Sequence, residues 1–226
     1  MAVDAVITGG GSGIRFGRKK QFTILGGVPL IRRTVACFDS HPLVERLIVV
    51  VPEEDLELTA GILEGTGKPL EITAGGRTRQ ESVRNGLKLC RPDGSVLIHD
   101  GVRPFVPPDL ITRVLLGIEG YEACIPGLAV SNTLKEVEGD LVVRTVPRTG
   151  LFSIQTPQCF LTRAIGEAHA RAEAAGNLEA TDDSALIEAA GGRVRLVPGD
   201  PRNMKITVAQ DMEIAEALLR CRTEPA

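Results

Sequence analysis

The residues with the clearest chemical meaning follow the apolar run Val3–Ile7. The chain there reads Thr8-Gly9-Gly10-Gly11-Ser12-Gly13-Ile14-Arg15-Phe16-Gly17-Arg18-Lys19-Lys20-Gln21. Glycine lets a backbone approach a ligand with its N–H groups turned inward, and phosphate oxygens bind such nests. The cations that follow add charge that backbone dipoles cannot supply. A buried strand, a glycine loop and a basic tail together read as a site for a nucleoside triphosphate. The alternative is a tight turn with a solvated basic face.

Three more clusters carry the same kind of chemistry. Gly75-Gly76-Arg77-Thr78-Arg79-Gln80-Glu81-Ser82 ends one strand and begins a helix with two arginines in its first turn. Cations there oppose the helix dipole, so stability does not explain them; an anion or a base does, and the alternative is an ordinary solvated arginine face. Gly76 lets a flat ring come close, and Ser82 can hydrogen-bond it. His99-Asp100-Gly101-Val102-Arg103-Pro104 sets a carboxylate and a guanidinium just past another buried strand. Asp100 suits sugar hydroxyls or a metal, or a local ion pair with Arg103, while His99 reads as a satisfied core histidine. Asn203-Met204-Lys205-Ile206-Thr207 holds a lysine between apolar neighbours, drawn to the same edge or snorkelling past it. Thr181-Asp182-Asp183-Ser184 reads as a helix N-cap with first-turn carboxylates, with no function needed.

Other chemistries are excluded. The loop resembles the opening of short-chain dehydrogenases, but those need a Tyr-x-x-x-Lys pair. The sole tyrosine, Tyr121, is followed four residues on by Ile125. No Gly-Lys-Ser/Thr follows at Walker A spacing. Aromatics are 3% of 226 residues and the net charge is -3, which argues against stacking platforms or a basic surface for nucleic acid. The three histidines share no metal-ligand spacing, and the five cysteines lie far apart, as expected of small buried hydrophobes in a reducing compartment. No signal-peptide pattern and no long apolar span is seen, so a cytoplasmic protein is expected.

The elements that must position these clusters alternate. Strands are expected at 3–8, 46–51, 70–73, 96–99, 123–126 and 194–197. Amphipathic helices begin at Pro29 and Asp109. That alternation predicts an α/β fold of Rossmann-like type, a mostly parallel sheet with helices on both faces and ligands at the carboxyl ends of its strands. Thr133–Val137 and Leu141–Val146 break the pattern. They alternate like half-buried strands around Glu138-Gly139-Asp140, which predicts a protruding β-hairpin arm. A lone hairpin is marginal in water, so it either packs on its own domain or pairs with another subunit.

In order through nearly the whole chain, these motifs resemble the 2-C-methyl-D-erythritol 4-phosphate cytidylyltransferase family. The match includes the glycine loop with Arg15 and Lys20-Gln21, the segment Gly75 to Leu87, His99 to Pro104, Thr133, Arg148, Gln155-Thr156-Pro157-Gln158, Thr181-Asp182-Asp183 and Asn203 to Thr207. The resemblance implies a single nucleotidyltransferase domain over 1–226 with a dimerisation arm at about 131–153. It implies that Arg15, Lys20, Arg148 and Lys205 are catalytic. Gly10, Gly11, Gly13, Gly76, Arg79 and Ser82 would bind CTP. Asp100, Arg103, Thr133, Arg148 and Lys205 would bind the alditol phosphate. Magnesium would sit on the triphosphate, near Asp100, with no all-protein cage. Thr133 and Arg148 would reach a neighbouring subunit's site in a homodimer. Departures from the family pattern are Lys19 in place of a proline, Asn132 for an aspartate, Gly101-Val102 for two alanines, and Arg202 at a place that can be acidic. Ribitol 5-phosphate cytidylyltransferases share a similar His-Asp-x-Val-Arg-Pro motif and give the second reading. A non-catalytic nucleotide-binding regulator is the alternative of a different class.

Overall fold

The computed structural model describes residues 2–10, 19–180 and 182–223, without the side chains of the last two. Its strands are β1 (Val3–Thr8), β2 (Ile24–Leu25), β3 (Val28–Pro29), β4 (Arg46–Val51), β5 (Leu70–Ala74), β6 (Ser95–Asp100), β7 (Ala123–Ala129), β8 (Leu134–Glu138), β9 (Leu141–Val146), β10 (Phe152–Ile154), β11 (Gln158–Leu161) and β12 (Val194–Pro198). The helices are α1 (Leu30–Asp39), α2 (Leu56–Ile62), α3 (Arg79–Leu87), α4 (Pro108–Gly117), α5 (Thr162–Ala174), α6 (Ser184–Ala189) and α7 (Gln210–Thr223). No helix among the described residues is long and apolar enough to cross a membrane.

The central sheet runs β10-β7-β11-β6-β1-β4-β5, and β12 pairs with the other edge of β7. β1 is parallel to β4 and to β6, and β4 to β5. The chain therefore winds outward from β1 through β4 and β5, then returns to the other side of β1 with β6. Such a reversal opens a crevice beyond the strand ends, where α/β sheets take their ligands. The apolar runs at residues 5–7 of β1 and 47–51 of β4 have both faces covered, and Asp4 at the start of β1 is buried against Arg46 and Arg91. Ala5, Ile7, Leu47 and Val49 meet α1 and α4 through Ile31, Val35, Phe38, Leu110 and Val114. Val6, Ile48 and Val50 meet α3, α5 and α6 through Val83, Ile165, Ala168 and Leu186. A third cluster packs α7 over the β2–β3 turn through Leu25, Leu30, Phe105, Ile206 and Ala215.

The six expected strands are present, within a residue to three of the predicted ends. The antiparallel pair β10 and β11 was not expected. Both run along one edge of β7, β10 on residues 127–129 and β11 on 123–124, as one strand broken at Gln155-Thr156-Pro157. That break turns polar side chains toward the sheet end instead of continuing the ladder, so no alternation reveals it. The hairpin is present as a separate two-stranded sheet, β8 with β9, bent by an irregularity between Glu136 and Val137. Val137, Leu141, Val142 and Val143 on it are exposed.

Candidate active site

The loops leaving β1, β5 and β6 are tied side by side past the strand ends. Gly9 N donates to Val50 O at 2.7 Å, Gly75 N to Val51 O at 2.7 Å, and Gly101 N to Thr8 O at 2.8 Å. Between these loops and the first turn of α3 lies a cavity of about 260 Å³. Gly10, Lys20, Gly76, Arg79, Ser82, Asp100 and Lys205 all line it, together with Thr8, Val102 and Thr207. A larger cavity of about 810 Å³ opens at the opposite end of the sheet, lined largely by Leu43, Leu115, Leu116, Ile118 and Tyr121. It lacks the glycine loops and the cation cluster, and it lies away from the carboxyl ends where α/β sheets bind ligands.

Asp100 is the electrostatic centre. Its carboxylate is buried against Arg103 Nε at 2.9 Å, Lys205 Nζ at 3.1 Å and Arg79 Nε at 3.8 Å. Burial alone would push this carboxyl up, but Lys205, Arg103 and Arg79 hold it well below the usual carboxylate range. The ion pair with Arg103 is present, and Asp100 also lines the cavity. Arg103 itself lies behind Asp100, buried, with Nη1 donating to Asn203 O at 3.0 Å. It is not among the residues lining the cavity. Its geometry holds Asp100 and the 203–207 loop instead.

Lys205 reaches the cavity because its loop is pinned on two sides. Ile206 N donates to Val102 O at 3.0 Å, and Asn203 Nδ2 donates to Thr156 O at 2.7 Å. Thr156 in turn accepts from Asp100 N at 3.1 Å and meets His99 Nδ1 at 3.0 Å. His99 Nε2 lies 3.2 Å from Arg103 O. Burial pushes the His99 imidazole down to about 3, so it is neutral. The core-histidine reading holds. Lys20 opens a short 3-10 turn, and its Nζ donates to Thr207 O at 3.4 Å.

At the start of α3 the sequence reading needs correction. Thr78 is the N-cap, accepting from Glu81 N at 3.1 Å, and Glu81 Oε2 accepts from Arg77 N at 2.9 Å. Only Arg79 is in the first turn; Arg77 precedes the cap and is exposed. A Cβ on Gly76 would stand 2.1 Å from Glu81 Cγ, so glycine is required there by its own helix. Ser82 Oγ already accepts from Gly76 N at 3.0 Å and donates to Thr78 O at 2.9 Å. Its proton is used within the loop, which leaves acceptor capacity toward the cavity.

Thr133 and Arg148 stand elsewhere, at the base of the hairpin and exposed, with Arg148 Nη1 donating to Ser131 O. Neither lines the cavity of its own chain. Gly11, Gly13 and Arg15 lie outside the described residues. Of the departures, Lys19 pairs with Glu54 at 3.1 Å and Asp55 at 2.7 Å, and Arg202 pairs with Asp200 at 2.7 Å. Asp183, expected as a first-turn carboxylate, precedes α6 and is buried, 2.7 Å from Arg79 Nη2. Asp182 does the capping instead, accepting from Ala185 N at 3.1 Å. With two aspartates in a row, sequence alone does not say which one turns inward.

The model of the family described as 2-C-methyl-D-erythritol 4-phosphate cytidylyltransferase matches residues 3–221. A bifunctional enzyme IspD/IspF of Rhodospirillum rubrum is 45% identical over 96% of this chain, which spans 57% of that protein. A 2-C-methyl-D-erythritol 4-phosphate cytidylyltransferase of Rubrobacter xylanophilus is 41% identical over 96% of this chain and 95% of its own length. The crystal structure of the protein of that name from Thermus thermophilus superposes with a TM-score of 0.82 at 38% identity, covering 97% of this chain and all of the other.

Proposed function

The chain belongs to the 2-C-methyl-D-erythritol 4-phosphate cytidylyltransferase family, and on that premise we propose that it transfers CMP from CTP to 2-C-methyl-D-erythritol 4-phosphate with release of pyrophosphate. The observation that carries this reading is the gathering of Gly10, Lys20, Gly76, Arg79, Asp100 and Lys205 around one cavity at the strand ends. A phosphate monoester attacks the α-phosphorus, its oxygen forming the new P–O bond as the bond to the bridging oxygen of pyrophosphate breaks. The monoester's second pKa is about 6, so it is largely dianionic at neutral pH and needs no general base. That agrees with the groups present. His99 is neutral, enclosed and engaged at both ring nitrogens, and Asp100 is held too acidic by its cations to accept a proton at neutral pH. The difficulty is bringing two anions together, which positioned cations relieve. Lys20 and Lys205 both line the cavity; Lys20 is assigned to the α-phosphate and Lys205 to the acceptor. Arg15 belongs to the same reading.

Magnesium is assigned to the triphosphate oxygens. Among the described residues, Asp100 is the only carboxylate lining the cavity and its Oδ1 has just one cationic neighbour, at 3.8 Å. One lightly engaged carboxylate oxygen suits an ion that keeps most of its water. When bound, such an ion neutralises phosphate charge. The exposed hairpin with Thr133 and Arg148 at its base supports a homodimer in which the arm completes a partner's site. No disulfide joins cysteines among the described residues, which suits a reducing, cytoplasmic setting.

Selectivity tests the reading. The ratio of kcat/KM for 2-C-methyl-D-erythritol 4-phosphate over ribitol 5-phosphate, both with CTP, is expected to exceed about a hundred, since buried polar groups left unpaired by the wrong alditol are costly. Equal values, or a preference for ribitol 5-phosphate, would overturn the assigned acceptor.

A further inference from the structure

Asp183 lies against the site yet takes no part in the reaction above. It is 1% exposed, on the loop entering α6. A charge so placed is costly unless partners hold it. Arg79 Nη2 stands 2.7 Å from Oδ2. On the other side, His169 Nε2 of α5 stands 3.5 Å from Oδ1. Neither His169 ring nitrogen has a hydrogen-bond partner among the described residues. Burial would push the Asp183 carboxyl up, but Arg79 and His169 hold it below its usual value, so it is ionised.

The loop carrying Asp183 is fastened to α3 and the sheet. Gln80 clasps it with both ends of its amide, Nε2 donating to Asn177 O at 2.8 Å and Oε1 accepting from Ala180 N at 2.9 Å. Gln158 Nε2 of β11 donates to Asp182 Oδ2 at 2.9 Å. The order His169, Asp183, Arg79, Asp100 thus runs from the interior to the cavity. Arg79 is pulled two ways: 2.7 Å to Asp183, but 3.8 Å to Asp100.

We infer that Asp183 is a positioning residue for nucleotide binding, anchoring Arg79 from outside the cavity so that it faces the substrates without closing on Asp100. Asp100 is thereby left to Arg103 and Lys205. This rests on the transfer reading above. Without the Asp183 charge, Asp100 is the nearest remaining carboxylate, and Arg79 closes on it. The incoming phosphates then meet one cation fewer. His169 backs the carboxylate and limits its retreat.

The test is a cycle of Asp183→Asn, Arg79→Met and the double variant, read as kcat and KM for CTP, CTP affinity by calorimetry, and Tm. Asp183→Asn is expected to raise the KM for CTP on the order of tenfold to a hundredfold, as a misplaced binding group does, with a smaller change in kcat. The double variant is expected to lose no more than Arg79→Met alone, because Asp183 acts only through Arg79. Losses that multiply, or an unchanged KM in a folded Asp183→Asn protein, overturn the inference. If Asp183→Asn does not fold, His169→Gln serves in the same cycle. It is expected to raise the KM severalfold, and to have no effect in the Arg79→Met background; a loss persisting there overturns the inference. The calorimetric cycle needs no turnover. A protein that binds CTP and releases no pyrophosphate therefore overturns the transfer reading while the cycle still reports on Asp183. A protein that does not bind CTP overturns both.

Discussion

At the scale of single residues, the site works by charge placement, and its titratable groups are set accordingly. Lys20 is assigned to the α-phosphate. Losing a preorganised charge contact of this kind costs on the order of a hundredfold or more in rate. Lys20→Ala is therefore expected to keep its fold by circular dichroism and Tm while kcat drops by at least that factor; a folded variant with near-normal kcat would remove the assignment. His99 gives a pH prediction. Its folded value is pushed down to about 3, whereas an unfolded histidine titrates near 6.5. Between those values the unfolded chain binds a proton that the folded chain refuses. This contribution to stability is fully present above about pH 6.5 and is lost as pH falls toward 3. In an NMR titration of the folded protein, the His99 ring signals are expected to stay those of a neutral imidazole from pH 7.5 to about pH 4. A midpoint near 6 would contradict the enclosed environment described for it.

At the scale of elements, the decisive contact is α3 against β1 and β4. A Cβ on Gly86 would fall 2.7 Å from Val6 Cγ1 and 2.9 Å from Val50 Cγ2. Helix propensity alone favours alanine there by about 1 kcal/mol, but overpacking a tight core costs about 1–3 kcal/mol. Packing wins, so Gly86→Ala is expected to lower stability in denaturant melts and to shift the α3 first turn with Arg79; a rise in stability would show that the helix can lift freely. This balance also explains what sequence could reveal. The strands Val3–Thr8 and Arg46–Val51 were legible because strands buried on both faces are predominantly apolar, here at residues 5–7 and 47–51. The glycine and Arg-Asp clusters were legible because loops at strand ends carry their chemistry in short segments. The β10–β11 pair was not, since it is a broken strand whose Gln155 and Thr156 serve the site. Nor was the inward turn of Asp183, which depends on Arg79 and His169, 104 and 14 residues earlier in the chain.

At the scale of the whole molecule, a sheet whose strand order reverses beside β1 places the glycine loops after β1 and β5 and the Lys205 loop around one crevice, while the hairpin stands apart with exposed Leu141, Val142 and Val143. If the arm completes a partner's site, mixing inactive Lys20→Ala with inactive Arg148→Ala subunits is expected to restore activity, because each heterodimer has one site with both residues intact. Heterodimers that form, by native mass spectrometry, and stay inactive would show that sites are not shared. The most direct measurement is product analysis of the purified chain with CTP, magnesium and 2-C-methyl-D-erythritol 4-phosphate. The charge-neutralising account predicts pyrophosphate and the CDP-alditol in equal amounts, with both lost together in Lys20→Ala. Binding of CTP without either product, or turnover undiminished in Lys20→Ala, would contradict it.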